Sequence, residues 1–452
     1  MIKEYLNKRF FSFLILIFCS GSSLAMTLPI MSLYLLNEVH ADKDQLGNFF
    51  TVSAISGIVV TQIIARFSDS KLSRRDLMIL GYVAGSLMAL TYIFFPSYGI
   101  IVTVGVLFSS LSMVATPQVF ALAREYALLK YGDALMFTSY IRAVFSLAWV
   151  MTPPIAYTIF VDFGSRFTFM VAAFIFLTGS VVACFTMPKA LFKTGSVHDF
   201  ESAPSSSIGD LIDRERENDA GGTNGESASA KPEERGTSET AENETKRSGG
   251  LFKLFKSGNF VSIAFLFLAF MLLWCCNSAY LISMPIFVTK ESAITGAFVE
   301  TDRLPGIMMG LAALLEIPVM IFCGRLAKRT GLKTLIILCA VFGCSFYLCL
   351  SFVTASAWSL LAMQVLNAIF IGILASLGMV YMQELLPKFP GQATTLYNNS
   401  VNTGGIISGY LVSKALNYGG SAMVFRVGIV FTALALILLF FVRKVKVEGA
   451  ES

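Results

Sequence analysis

Arg142 and Glu316 stand where an ionised group is costly, each inside a long run of apolar residues. A charge within a bilayer-length segment costs on the order of 3 kcal/mol even on the lenient insertion scale, so such side chains face a cavity or a partner. At 1.5 Å per residue, Arg142 falls roughly 12 Å and Glu316 roughly 15 Å from the same membrane edge, which makes a pair between them geometrically possible. Glu316 is then the candidate to take and release a coupling proton, with Arg142 as its counter-charge. The competing reading is a permanent structural ion pair, or an arginine snorkelling to the headgroups.

Uncharged polar residues recur at helical spacing around this pair. Ser146 and Trp149 follow Arg142 by four and seven residues, on one helical face. Trp274 and Asn277 are three apart, as are Gln364 and Asn367. Thr395, Asn398, Asn402 and Gly405 run in steps of three, four and three. Amides both donate and accept hydrogen bonds, and an aromatic ring offers an apolar face, so the set suits a polyhydroxylated ligand in a shared cavity. The bland alternative is that these amides tie helices together, for roughly 0.6 kcal/mol apiece.

The elements that must position them are apolar spans. More than half the residues are hydrophobic (55%), only 14% are charged, and there are 40 Phe, a balance that favours bilayer over water as solvent. Runs long enough to cross about 30 Å of hydrocarbon begin at Phe10–Leu36, Leu46–Phe67 and Leu77–Phe95, then Gly99–Leu122, Ala134–Phe160 and Phe167–Met187. A second set comprises Asn259–Val288, Leu304–Leu326, Thr334–Val353, Trp358–Met382, Ala393–Leu416 and Ala422–Val442. The basic start of the chain resembles a secretory leader, but its apolar run is too long for one.

Residues 195–249 are rich in Ser, Glu, Gly, Thr and Asn, too poor in apolar surface to offset the entropy of ordering. The expected organisation is therefore a six-helix bundle over 1–188, a solvated linker over 189–256, and a second six-helix bundle over 257–452. The short loops on one side collect Lys8, Arg9, Arg74, Arg75, Arg124, Lys130, Arg325, Lys328, Arg329 and Lys333. The positive-inside rule then places both termini and the linker in the cytoplasm.

Several functions find no support. The formal charge of +5 is spread over loops, which argues against nucleic acid. No phosphate-cradling Gly loop ending in Lys-Ser or Lys-Thr occurs, and the two His lie in loops with no metal or triad arrangement, so no cofactor and no metal is expected. The eight Cys are scattered through apolar runs, as buried thiols are.

A charged turn follows the second span of each half: Ala65 to Arg75 in the first, Gly324 to Lys333 in the second. The second turn, Gly324-Arg325-Leu326-Ala327-Lys328-Arg329-Thr330-Gly331-Leu332-Lys333, resembles the loop motif of the major facilitator superfamily, with Lys328 where that motif has an acid. The first keeps the acid as Asp69. Longer stretches resemble the bacterial sugar efflux transporters: Pro117 to Ala127, Arg142 with Ser146 to Val150, Gly310 with Leu315 to Pro318, Asn367 to Gly372, and Ala393 to Leu396 with Asn399-Ser400.

The resemblance implies an all-α membrane protein of twelve helices in two pseudo-repeat bundles, and a carrier rather than an enzyme. Its implied task is export of sugars or glycosides across the bacterial inner membrane in exchange for protons, by a monomer. In that fold Arg142, Ser146, Trp149, Trp274, Asn277, Gln364, Asn367, Thr395, Asn398 and Asn402 would line the substrate cavity. Glu316 with Arg142 would couple protons. Asp69, Arg74, Arg75 and Arg124 would gate the cytoplasmic rim, with an Asp69–Arg124 latch weighed against charges that only set topology. Thr152-Pro153-Pro154 departs from the Gly-Pro pair of facilitator exporters, weakening the direction drawn from that motif; the prolines should still kink the helix. A multidrug or other small-molecule antiporter of the same fold, and a non-transporting sugar sensor, are the alternatives.

Overall fold

Without water, an unpaired backbone N–H or C=O costs several kcal/mol, which leaves helices as the way to cross hydrocarbon with one chain of this composition. The structure, a computed structural model, describes residues 8–68, 73–131, 135–187, 260–291, 294–296, 299–352, 356–387 and 389–442. The linker expected over 189–256 and the gating residue Asp69 lie outside the described residues. Within them, ten helices are long and apolar enough to span a membrane.

Eight have 21 to 32 residues: α1 Lys8–Asn37, α2 Lys43–Ile64, α3 Arg74–Phe94, α4 Tyr98–Leu128, α7 Phe260–Glu291, α8 Thr301–Thr330, α9 Leu332–Phe352 and α10 Ala357–Leu385. The other two, Met136–Thr186 and Gly391–Phe441, have 51 residues each. A straight helix of that length would reach roughly 77 Å, more than two bilayer cores. Both break in the middle. Gly164 takes φ 80° and ψ 175°, and Gly420 takes φ 69° and ψ −166° after Gly419. Each long helix is therefore two crossings: α5 (136–163) with α6 (165–186), and α11 (391–418) with α12 (421–441). Twelve crossings result, the number the hydropathy pattern predicts.

The second break is held by a carboxylate. Glu291, at the end of α7, accepts the Ser421 backbone N–H at 2.7 Å, a negative group at the start of α12. Buried tyrosines make a further set of ties. The Tyr82 hydroxyl on α3 donates to the Leu16 carbonyl of α1 (2.8 Å), and Tyr34 on α1 donates to the Tyr92 carbonyl of α3 (2.7 Å). In the second half Tyr397 on α11 donates to the Leu374 carbonyl of α10 at 3.2 Å. Each ring fills apolar volume while its hydroxyl caps a carbonyl of a neighbouring helix. The outer faces are apolar and open, with Phe174 69% and Phe440 63% exposed, as a lipid-facing surface requires.

Packing joins Met1–Leu191 and Ser262–Ser452 into one compact unit; of the second unit, Phe192–Val261, only Phe260 and Val261 are described. An even number of crossings puts the start of α1 and the end of α12 at the same end of the first unit, here the terminal end. Lys333, opening α9 there, donates its Nζ to the Phe440 carbonyl of α12 at 3.2 Å. The α1–α2, α5–α6, α7–α8 and α11–α12 connections lie at the opposite, far end.

The breaks give a testable expectation. Gly164 sits in backbone territory that an L side chain enters at a cost of about 1–3 kcal/mol, so Gly164→Ala should lower the thermal unfolding midpoint in detergent. Gly324→Ala, at a helical position where an added Cβ meets nothing within 4 Å, should leave it unchanged or raise it.

Candidate functional site

The halves meet along two helix pairs, and each pair is tight at the far end. On α2, a Cβ at Gly47 would fall closer than 3.0 Å to the Gly409 carbonyl of α11, and one at Gly409 would lie 2.7 Å from the Gly47 carbonyl. Thr51, one turn further along α2, bonds its hydroxyl to the Ile406 carbonyl at 3.4 Å. At the next level the helices have parted: a Cβ at Gly405 would meet only the Ala54 methyl, at 3.9 Å. Small residues permit the backbone approach that lets helices pack without a hydrophobic driving force.

The α5–α8 pair follows the same plan with proline chemistry added. Pro154 has no N–H to give the Val150 carbonyl four residues back. That carbonyl faces Gly310 of α8, where a Cβ would sit 2.6 Å from it. One turn nearer the far end, Gly306 faces the Pro153 carbonyl, with the same 2.6 Å separation. The helix stays continuous through Pro153 and Pro154 and leaves helical angles only at Gly164. Pro154 thereby leaves a free carbonyl for close Cα–H contact with a glycine.

Towards the terminal end α2 and α11 enclose a cleft of about 280 Å³ lined by Thr61, Gln62, Thr395, Asn398, Asn399, Val401 and Asn402. Six of the seven carry a hydroxyl or an amide. Three substrate candidates from the sequence, Thr395, Asn398 and Asn402, are thus brought together. Thr61 and Gln62 were missed, because they close an otherwise apolar run on α2 with no helical repeat of their own. Asn399, beside Asn398 on α11, lines the same cleft.

The other candidates are distributed differently. Gln364 is fully buried, donating to the Leu360 carbonyl (3.0 Å) and accepting from Asn367 (3.2 Å) and Tyr280 (3.4 Å). Gln364 and Asn367 therefore tie helices together inside the second half, and neither lines the α2–α11 cleft. On α5 the stripe Ile141, Ala148 and Thr152 is buried, and Gly21 of α1 packs against Ala148. Arg142, Ser146 and Trp149 lie one position round from it, with Arg142 exposed and the other two half-buried. Trp274 and Asn277 are half-buried on α7.

Arg142 and Glu316 form no ion pair with each other, nor does either form one with any other described residue. The pair that their depths allow is not formed in this structure. From the Val150–Gly310 contact, Arg142 lies eight residues and Glu316 six residues towards the terminal end, a mismatch of roughly 3 Å. Glu316 is half-buried, and its own backbone carbonyl turns towards Gly372 of α10.

The gating residues also bond within one half. Arg74 pairs with Glu125 at 2.6 Å and donates to Gln118 at 3.2 Å, joining α3 to α4. Arg75 donates to the Cys184 carbonyl of α6 at 2.5 Å. Arg124 is exposed and makes no ion pair with a described residue. Glu125, the neighbour of the residue singled out in the sequence, is the acid that takes the arginine. Among the described residues no group of three or more His, Cys, Asp or Glu is placed to hold a metal.

The family model described as Major Facilitator Superfamily matches residues 13–301 and 294–452. The chain is 35% identical to "Sugar efflux transporter A" of Dickeya chrysanthemi over 96% of its length and 95% of that protein. It is 34% identical to "Sugar efflux transporter A" of Escherichia coli strain K12, covering 98% and 97%. Among solved structures, the nucleoside transporter NupG superposes with a TM-score of 0.72 at 15% identity, over 96% of this chain and 98% of that one. A peptide transporter POT bound to alafosfalin gives 0.71 at 15%, over 96% and 94%; at such identity these two speak to the fold alone. Matched along nearly its whole length, this multi-pass membrane protein is a transporter rather than an enzyme, and it belongs to the sugar efflux transporter family of the major facilitator superfamily.

Proposed function

We propose that the protein exports sugars or glycosides across the bacterial inner membrane by alternating access, exchanging them for protons as a monomer. The observation that carries this reading is the α2–α11 cleft: six of its seven lining residues offer hydroxyls or amides, each able to donate and accept. A cavity for apolar drugs would instead be walled by aromatic and aliphatic side chains. The terminal end of the bundle faces the cytoplasm in this reading, supported by the Arg and Lys residues gathered there, and so do the termini and the 189–256 segment between the two bundles. The open cleft is then a cytoplasmic entrance and the sealed far end the periplasmic exit, an orientation suited to loading an exported substrate. The closely related proteins named sugar efflux transporters give the substrate class.

Proton exchange rests on Glu316. A half-buried carboxyl without an ionic partner is free to change its protonation state as the two bundles rock, which a permanently paired acid is not. Arg142, at a similar depth on α5, is the base we assign to meet it when α5 and α8 close at the terminal end.

Radiolabelled sugar leaving loaded cells tests the substrate. Each cleft hydrogen bond contributes about 0.5–1.5 kcal/mol, so Gln62→Ala or Asn402→Ala should weaken apparent affinity by roughly twofold to tenfold. Affinities unchanged across a sugar panel in both variants would remove the cleft from the site. Gln364→Ala, by contrast, should lower the thermal midpoint of the purified protein, since it strips Asn367 and Tyr280 of a buried partner.

In vesicles carrying an imposed pH gradient, Glu316→Gln should abolish the gradient-driven part of the flux and retain exchange of labelled for unlabelled sugar. Full gradient-driven flux in that variant would take Glu316 out of the coupling.

A further inference from the structure

Two charge clusters at the far end fall outside every role assigned so far. At the start of α2, Asp44 accepts from the Ser413 hydroxyl at 2.5 Å, from the Asn417 amide at 3.0 Å and from the Lys414 ammonium at 3.3 Å, all on α11. At the start of α8, Arg303 donates to Asp162, at the end of α5, at 2.5 Å. Each therefore joins one half of the protein to the other. The remaining ion pairs among the described residues, Arg74–Glu125 and Arg303–Glu300, stay within a half.

The clusters occupy matching places in the two repeats. Gly47 follows Asp44 by three residues, and Gly306 follows Arg303 by three. These are the glycines at which α2 presses on α11 and α8 on α5. In each pair the charged contact thus sits one turn outside a glycine contact, with the signs reversed: acid on α2 and base on α11, base on α8 and acid on α5. Helix pairs that repeat this order of charge then glycine, on both sides of the pseudo-twofold axis, form a symmetric closure rather than scattered surface pairs.

We propose that Asp44 with Lys414 and Asp162 with Arg303 are twin latches that hold the far end shut, and that both must open for substrate to leave there. A single exposed ion pair adds little because solvent screens it. Here the Asp44 carboxylate also takes two neutral donors, and the glycine contacts behind each latch require the helices to be closed before the charges can meet. Latch and glycine contact open together, so weakening the charges shifts the population towards the far-end-open state. This goes beyond substrate choice and can be measured without any sugar.

The test uses the full chain in lipid nanodiscs, with Cys184→Ser removing the exposed native thiol and Thr51→Cys placing a reporter between α2 and α11. Alkylation of that cysteine by a water-soluble maleimide, read at the residue by mass spectrometry, follows far-end opening. Asp162→Asn should raise the rate about threefold to fivefold, the scale of one screened pair. Asp44→Asn should raise it too, and the double variant should exceed either. The reversed pair, Asp162→Arg with Arg303→Asp in a Glu300→Gln background, should return the rate to that of the parent.

Equal rates in the parent and in both single Asn variants would overturn the latches, as would a reversed pair as fast as Asp162→Asn. Should the double variant fail to fold, the single variants and the reversed pair decide the matter. If sugar efflux proves absent while these rates move as stated, the latches stand and the substrate reading falls.

Discussion

Backbone contact through glycine is the constraint from which the rest of this architecture follows. Lipid tails are as apolar as the helix surfaces, so nothing squeezes the two bundles together, and closure depends on contacts short enough for dispersion and weak Cα–H···O bonds to accumulate. Gly47, Gly409, Gly306 and Gly310 supply them, and in each case an added Cβ would collide with a carbonyl of the opposite bundle. All four lie towards the far end. At the level of Gly405 the helices are already apart, and nearer the termini they leave a polar cleft. One end is closed by backbone contact and the other is open.

A second division separates polar residues that hold the bundles from those that face the cleft. Tyr34, Tyr82, Tyr397, Gln364 and Asn367 are buried and bond to carbonyls or amides of their own half. Each half is thereby tied together internally, helix to helix. Gln62, Asn398 and Asn402 face open space instead. Their hydrogen-bonding capacity is left for water or a ligand, and exchanging water for a polyhydroxylated ligand leaves few groups unsatisfied.

Charge follows the same logic. At the terminal end, Arg74 bonds to Glu125 and Arg75 to the Cys184 carbonyl within the first half, and Lys333 to the Phe440 carbonyl within the second. At the far end, Asp44 and Arg303 reach across to the other half. Internal pairs do not change energy when the bundles move, whereas pairs between them do, so only the second kind can bias one orientation over the other.

Length and hydropathy of the apolar runs were enough to determine twelve crossings, because the thickness of a bilayer sets the number of helical residues needed and each run carries that number on its own. The charged turns after the second and eighth spans and the family stretches around Arg142 and Glu316 were likewise local, and they led to the family that the comparisons show. The spacing of Thr395, Asn398 and Asn402 announced one wall of the cleft; the opposite wall, Thr61 and Gln62, could be found only once α2 lay against α11. Tertiary structure alone decided that Gln364 is buried against Asn367 and Tyr280, that Arg142 and Glu316 make no ion pair, and that Asp44 meets Lys414, 370 positions later. Helical periodicity orders residues within a single span, but which spans adjoin, and at which end they touch, depends on where glycines and free carbonyls let two backbones come together.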